Sequence, residues 1–344
     1  MFGSIAATAW ILPRGPRTIV DAIESRGRPA NGGFRGTDEV RRTSRLRELI
    51  AAPDILVMPG VHDALGARLA ELQGFSAVTA GGYGASATLL GRPDSSQLSL
   101  TEMSEMYSRL CDATALPLLA DGDTGFGNVT NVSRTVGLYE KAGVAGLFIE
   151  DQVFPKRCGH MSGKAVVPIA EWLAKIKAAL DARRDPDLVI MARTDALAVN
   201  GLDDAIERAQ LAREAGADLL FVEAPTDTMQ MQRICAEIAG PCLANNVETG
   251  RSPLLPADEL QRIGYAAVVF PVAATYAVAY ALRDLFATIK RTGSTEEFLS
   301  RLPSFDEFNE IVGLSAQRKR EADWQDYAES LVERRSMTEG EENR

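Results

Sequence analysis

Short apolar runs recur along the chain from Ser44 onward, each followed by a turn and then by a longer amphipathic stretch. The runs are ILVMP (55–59), SAVTA (76–80), LPLLA (116–120), GLFIE (146–150), LVIMA (188–192), DLLFV (218–222), PCLAN (241–245) and AAVVF (266–270). Runs this short and rich in Val, Ile and Leu read as strands buried on both faces. The stretches between them read as helices. DALGARLAELQG spaces its apolar residues by three and four and stops at Gly74, and LDDAIERAQLAREAGA starts on acids and stops on a glycine. Eight strand-then-helix units predict an α/β fold, a closed (β/α)8 TIM barrel over 44–292 whose last helix covers 273–291.

Past the barrel, PSFDEFNEIVG and the charged stretch from Arg318 to Arg335 predict a helical extension over 293–336. Its Phe305, Phe308 and Ile311 need cover from the barrel end or from another subunit. The polar tail 337–344, MTEGEENR, is expected to be disordered. Residues 1–43 are rich in Arg, lack Lys and include RGRPANGGFRG, which reads as a flexible extension, with an organellar presequence as the alternative. A secretory signal fits poorly, because a basic start is missing and Pro13 comes early.

Composition narrows the function. With 46% hydrophobic and 24% charged residues, the 344-residue chain has the make-up of a soluble globular protein. A net charge of −10 argues against a nucleic-acid binder but leaves room for a local cationic pocket that takes a small anion. No apolar run approaches the roughly 18 residues of a membrane span. Cys111, Cys158, Cys235 and Cys242 form no CxxC pair and no zinc-like spacing with His62 or His160, so a reducing, cytoplasmic setting is expected.

Active-site groups of such barrels come from the loops after the strands. Here those loops hold GGYGAS after the second strand, DGDTGFGN after the third, Glu150 and Asp151 after the fourth, RTD after the fifth, Glu223 after the sixth and NNVETGR after the seventh. Asp121 and Asp123 alternate, so an extended backbone would point both to one side, with Glu150 on the next strand facing them. Like charges that close repel unless a cation joins them, and an all-oxygen donor set suits Mg2+ or Mn2+. Each aspartate alone reads better as a helix cap; the set at successive strand ends reads as a metal site. Arg193 offers a forked donor for a substrate carboxylate, or a salt bridge to Asp195. Gly81 and Gly82 offer backbone N–H groups to an anion, or a tight turn. GFGN falls short of a full dinucleotide fingerprint.

One segment is more specific. EDQVFPKRCGHMSGK, with GVHDALGARLAE, LLGRPD, LLADGDTGFGN and VIMARTDAL, resembles the isocitrate lyase and phosphoenolpyruvate mutase superfamily from about Arg45 to Gly313, and within it the short lyases. The resemblance implies a barrel with C-terminal helices swapped between subunits of a homotetramer, binding Mg2+ and a 2-oxo or 2-hydroxy acid. It implies Asp121 as the closest metal contact, with Asp94, Asp123 and Glu150 holding its waters. Gly81, Gly82 and Arg193 would grip a carboxylate beside Tyr83, Asp94, Asn246 and Arg251. Cys158 would be the catalytic acid, with Gly159, His160, Arg193 and Glu223 around it.

The chemistry holds together on its own terms. Cleaving a carbon–carbon bond β to a carboxylate leaves an enolate that must be stabilised and then protonated, and a thiol can deliver that proton. Lys156, Arg157 and His160 beside Cys158 are expected to favour its thiolate. Methylisocitrate lyases tend to carry Tyr and Ser where Thr79 and Gly81 stand here, and Arg at the position of Tyr276. Arg251 is similar in place to the Lys of dimethylmalate-type members and could meet a distal carboxylate. The mutase branch carries Asn for the loop Cys, and the oxaloacetate-hydrolysing branch Ser near Pro271. The expected function is therefore a Mg2+-dependent lyase for a substituted malate. 2-Methylisocitrate cleavage is the alternative, and phosphonomutase, oxaloacetate hydrolase, dinucleotide oxidoreductase and a non-enzymatic dicarboxylate-binding barrel stand behind it.

Overall fold

The computed structural model describes residues 41–342 apart from Met161 and Ser162, with side chains described as far as Arg335. Two compact units result, one holding the barrel through Phe298 and one holding the chain from Leu299. The N-terminal extension expected over 1–43 lies outside the described residues except for its last three. Of those, Arg42 and Thr43 already belong to helix α1 (Arg42–Ala51).

All eight apolar runs form parallel strands: β1 (Leu56–Pro59), β2 (Val78–Ala80), β3 (Leu118–Asp121), β4 (Gly146–Glu150), β5 (Val189–Thr194), β6 (Leu219–Val222), β7 (Leu243–Asn245) and β8 (Ala267–Phe270). Ladders run β2 to β6 in sequence order and β1-β8-β7, and single bridges from Gly60 to Thr79 and from Leu220 to Cys242 join the two sheets. The barrel is closed. Helices follow the strands in turn: α2 (Ala64–Leu72), a short α3 (Gly82–Ala85) with α4 (Leu100–Ala113), α5 (Val129–Ala142), α6 (Ile169–Ala182), α7 (Leu202–Glu214), α8 (Thr228–Glu237), α9 (Ala257–Ile263) and α10 (Ala273–Thr292).

Strand alternation splits the core in two. Met58, Leu119, Phe148, Met191, Phe221, Leu243 and Val269 fill the barrel, and Leu46 and Ile50 of α1 pack with the same cluster. Their neighbours, such as Val78, Leu147, Ile190 and Val268, pack outward against Tyr107, Tyr139, Trp172 and Ile206 of the helices. Because the interior below the strand ends is packed with side chains, the cavity and its polar groups lie at the C-terminal rim.

In the second unit, α11 (Phe305–Ile311) starts at Ser304, whose hydroxyl accepts from the Glu307 N–H at 3.1 Å. Helix α12 (Leu314–Glu342) continues through 337–342, the segment that polarity alone assigned to a disordered tail. Glu and Met favour helix and no proline intervenes, so polar character alone does not preclude helix. Phe305, Trp324, Tyr327 and Val332 are exposed, whereas Ile311 is buried. Among the described residues, no helix is long and apolar enough to cross a membrane.

Candidate active site

A cavity of about 240 Å3 opens above the barrel interior, with Leu119, Phe148, Met191, Phe221, Leu243 and Val269 as its floor. The alternation that points these residues inward also sends Asp121 on β3, Arg193 on β5 and Asn245 on β7 into its wall, each two residues further along its strand. Gly81, Gly82, Tyr83, Asp94, Lys156, Cys158, Gly159, His160 and Glu223 complete the wall together with Thr79, Glu248 and Tyr276.

Asp121 is set rigidly. Its N–H donates to the Tyr107 hydroxyl at 3.1 Å, and its carbonyl accepts from the hydroxyls of Tyr107 and Tyr139 at 2.9 and 3.0 Å. Two helices thus replace the ladder where β3 ends. Both tyrosines are fully buried, their rings edge to face at 5.0 Å, and burial first, then their mutual proximity or the nearby aspartates, lifts their pKa values far above the ordinary range. They remain neutral donors. The Asp121 carboxylate accepts from the N–H groups of Gly82 at 3.0 Å and Asp123 at 2.8 Å.

The expected pleat-like alignment of Asp121 and Asp123 is replaced by a turn. Asp123 has φ +47, in the left-handed region, so its side chain rejoins the cluster around a bend rather than along a strand. A buried Lys156 ammonium lies 2.8 Å from Asp123 and 3.0 Å from Asp94. Burial opposes its charge, but Asp123, Asp121, Glu150 and Asp94 outweigh that and hold its pKa well above normal. Burial raises Asp123 to about 6 and raises Glu150 strongly, against the pull of Lys156 and Arg193 respectively. Glu150 Oε1 has no hydrogen-bond partner among the described residues, and Oε2 lies 3.4 Å from Arg193 Nε. Asp94, Asp121, Asp123 and Glu150 therefore converge as expected, but through a lysine. No group of three or more His, Cys, Asp or Glu meets at metal-ligand distance among the described residues. This oxygen-only, under-bonded set fits a hard dication that touches one carboxylate and keeps its waters toward the others.

Arg193 lies between the rings of Phe148 and Phe221, 5.9 and 5.2 Å from their centroids. It donates to Asp195 at 2.9 and 3.3 Å and lies 3.3 Å from Glu223, so the expected salt bridge to Asp195 is formed by a side chain that also lines the cavity. Burial would raise Glu223, but Arg193 and the His160 hydrogen bond prevail and lower it. His160 Nδ1 accepts from the Arg251 N–H at 2.9 Å while Nε2 faces Glu223 at 3.1 Å, which fixes the tautomer with its proton on Nε2. Gly159 admits no side chain, since a Cβ there would lie 2.5 Å from Glu223 Cγ and 2.6 Å from Arg193.

Expectations for four further residues change. Cys158 is not held as thiolate: burial first of all raises its pKa, despite the His160 N–H and Arg193, while Lys156 is turned toward Asp94 and Asp123. The Gly82 N–H is taken by Asp121, which leaves Gly81 as the glycine of the pair free of that bond. Arg251 contributes its backbone to His160 but its side chain is exposed, and Asn246 points its amide at the Leu255 carbonyl at 2.7 Å. Neither lines the cavity; Asn245 does, donating to Glu223 at 3.2 Å. Period-two counting from Leu243 identifies it. GFGN forms a turn, with Gly125 and Gly127 at φ +87 and +145 and Asn128 capping α5, so its glycines serve the backbone.

The phosphoenolpyruvate phosphomutase family profile matches residues 46–290. The chain belongs to the phosphoenolpyruvate mutase and isocitrate lyase superfamily. Among its members, 2,3-dimethylmalate lyase of Eubacterium barkeri is 45% identical over 278 residues, 81% of this chain and 96% of that protein. A 2-methylisocitrate lyase of Aeropyrum pernix is 40% identical over 289 residues, 84% of this chain and 93% of that one. The structure of phosphonopyruvate hydrolase with oxalate and Mg2+ superposes with a TM-score of 0.75 at 32% identity, covering 82% of this chain and 99% of that one.

Proposed function

We propose that this protein is a Mg2+-dependent carbon–carbon lyase, cleaving a substituted malate of the 2,3-dimethylmalate kind to a 2-oxo acid and a small carboxylic acid. The observation that carries the reading is a half-buried, protonated thiol that shares one cavity with a buried guanidinium and with Asp94 and Asp121 of the carboxylate cluster. Mn2+ would serve in place of Mg2+. Asp121 would hold the ion directly and Asp94, Asp123 and Glu150 through waters, and the ion would supply positive charge to the C2 oxygen of the substrate.

The chain's own residues account for the rest. Arg193, braced by two phenylalanine rings, presents its guanidinium to the carboxylate of the 2-oxo half. Loss of the C2 hydroxyl proton and cleavage of the C2–C3 bond leave an electron pair on C3 of the departing acid. The Cys158 S–H delivers its proton to that carbon, and the resulting thiolate is met by the His160 N–H and by Arg193. Glu223, bound by Arg193, Asn245 and His160, keeps the imidazole in place.

The mouth of the cavity favours alkyl groups over a third carboxylate. Val247, Val272, Pro271, Tyr83 and Tyr276 surround it together with the acid Glu248, and the Arg251 side chain is exposed outside. A panel of 2,3-dimethylmalate, 2-methylmalate, 2-methylisocitrate, oxaloacetate and phosphonopyruvate, assayed with Mg2+ for product release, tests the proposal. Oxo-acid release should be fastest from the alkylmalates and abolished by EDTA. Preference for 2-methylisocitrate would install that alternative, and silence across the panel with tight oxalate binding would make the barrel a carrier. A homotetramer with exchanged helices fits the 20-residue α10, which buries none of its side chains in the monomer. A cytoplasmic setting is consistent with four unpaired cysteines.

A further inference from the structure

Lys164 takes no part in the steps above, yet its side chain is 2% exposed and lies against Asp195, which is fully buried. An ammonium leaves water only when partners replace its hydration. Lys164 has two. It donates to Asp195 Oδ1 at 2.7 Å and to the carbonyl of Gly159. Gly159 sits in the chain between Cys158 and His160, and it fits so closely against Glu223 and Arg193 that a Cβ is excluded. Asp195 is in turn held by Arg193 through its carboxylate and by Asp151 through its N–H, at 2.8 Å. One buried cation therefore joins the backbone between thiol and imidazole to the end of the strand that carries the guanidinium.

The loop has other attachments on both sides of Cys158: Lys156 pairs with Asp94 and Asp123, and the His160 ring accepts from the Arg251 N–H and faces Glu223. Gln152 bonds both the N–H and the carbonyl of Arg157, at 3.0 and 2.8 Å, and pairs with Val166 at the base of the loop. Those ties hold the base of the loop, its backbone up to Arg157 and the His160 ring; the Lys164 bond holds the backbone carbonyl just after Cys158, at Gly159.

We propose that Lys164 is a positioning residue, which clamps the Gly159 carbonyl to the Arg193–Asp195 pair and so holds the Cys158 thiol over the cavity. The proposal rests on Cys158 as the proton donor. Removing the clamp frees the thiol to face solvent, whereas Arg193 and the carboxylates that meet the substrate stay on their strands. Turnover then suffers more than substrate binding.

The test reads loop position without substrate. Cys158 in the free protein is alkylated with iodoacetamide, and the modified peptide is followed by mass spectrometry. In Lys164→Met the rate should rise on the order of tenfold, because the thiol is exposed more often. In Lys164→Arg, which keeps the charge and more than one donor, it should stay within about twofold of the unmodified chain. An unchanged rate in Lys164→Met, or an equal rise in Lys164→Arg, overturns the assignment. If Lys164→Met does not fold, Asp195→Asn, which removes the charged acceptor, is judged by the same rise. With an alkylmalate, Lys164→Met should lose kcat while KM holds; a loss confined to KM counts against the clamp. If no substrate is turned over by the unmodified chain but alkylation behaves as expected, the clamp stands and the lyase reading falls.

Discussion

The Cys158 thiol is half-buried, and burial raises its pKa above that of a free thiol. A group that must give a proton to a carbanion needs that proton in place at neutral pH, and the site provides it. Cys158→Ser keeps the size of the side chain but presents a far weaker acid. Turnover should fall by about a thousandfold or more while oxalate affinity, set by Arg193 and the acidic cluster, changes little. Steady-state kinetics beside calorimetric titration of oxalate would show this, and a serine variant within tenfold of full activity removes the sulfur from the mechanism. Local sequence pointed the other way, toward thiolate, because adjacency to Lys156 and Arg157 says nothing about where their charges turn. Lys156 is spent on Asp94 and Asp123, a pairing across 62 and 33 residues that only the fold brings about.

At the level of elements, the strands were legible because each is a short Val, Ile and Leu run closed by a turn. The chemistry was legible because its residues stand where those runs stop. What the chain does not display is how a strand end is held. The last residue of β3 is Asp121, and its backbone is satisfied by Tyr107 of α4 and Tyr139 of α5, two residues that no motif in the sequence singles out. Tyr107→Phe leaves the buried Asp121 N–H without its partner, at a cost of about 1–3 kcal/mol. The carboxylate is then less firmly placed. Urea unfolding should show that loss of stability, and Mn2+ titration followed by electron paramagnetic resonance should show several-fold weaker binding; Tyr139→Phe, which removes one of two donors to the carbonyl, should do less. Equal Mn2+ affinity in all three proteins would mean that the tyrosines support the fold alone.

Two properties belong to the whole molecule. The first is its response to acid. Burial would raise the Asp195 pKa, but Arg193 and Lys164 outweigh it and bring it from 3.8 to about 2. The folded chain thus binds this proton less readily than the unfolded one, which contributes roughly 2 kcal/mol of stability above pH 4 that is lost as pH falls toward 2. Denaturation of the native protein and of Asp195→Asn should differ most at pH 7, and the gap should close between about pH 4 and pH 2; a gap independent of pH would show that packing rather than charge makes the difference.

The second property is the apolar surface that the single chain leaves uncovered. On α10, Val278, Leu282, Phe286 and Ile289 recur at spacings of four, four and three, so they share one face, and all are at least 38% exposed in the single chain. The C-terminal unit by itself also exposes Trp324, Tyr327 and Val332. Apolar surface on this scale is uncommon on a protein that works alone. Burying each large side chain is worth about 1.5–3 kcal/mol, so several such residues can hold a stable oligomer. Phe286→Glu places an unpaired charge in that contact, which costs several kcal/mol where water is excluded but almost nothing where the helix face is already wet. Light scattering should find about four chains per particle for the native protein and fewer for Phe286→Glu, with the circular dichroism of the barrel retained. A native protein that scatters as a single chain, unaffected by the substitution, would mean that α10 faces solvent in the working enzyme.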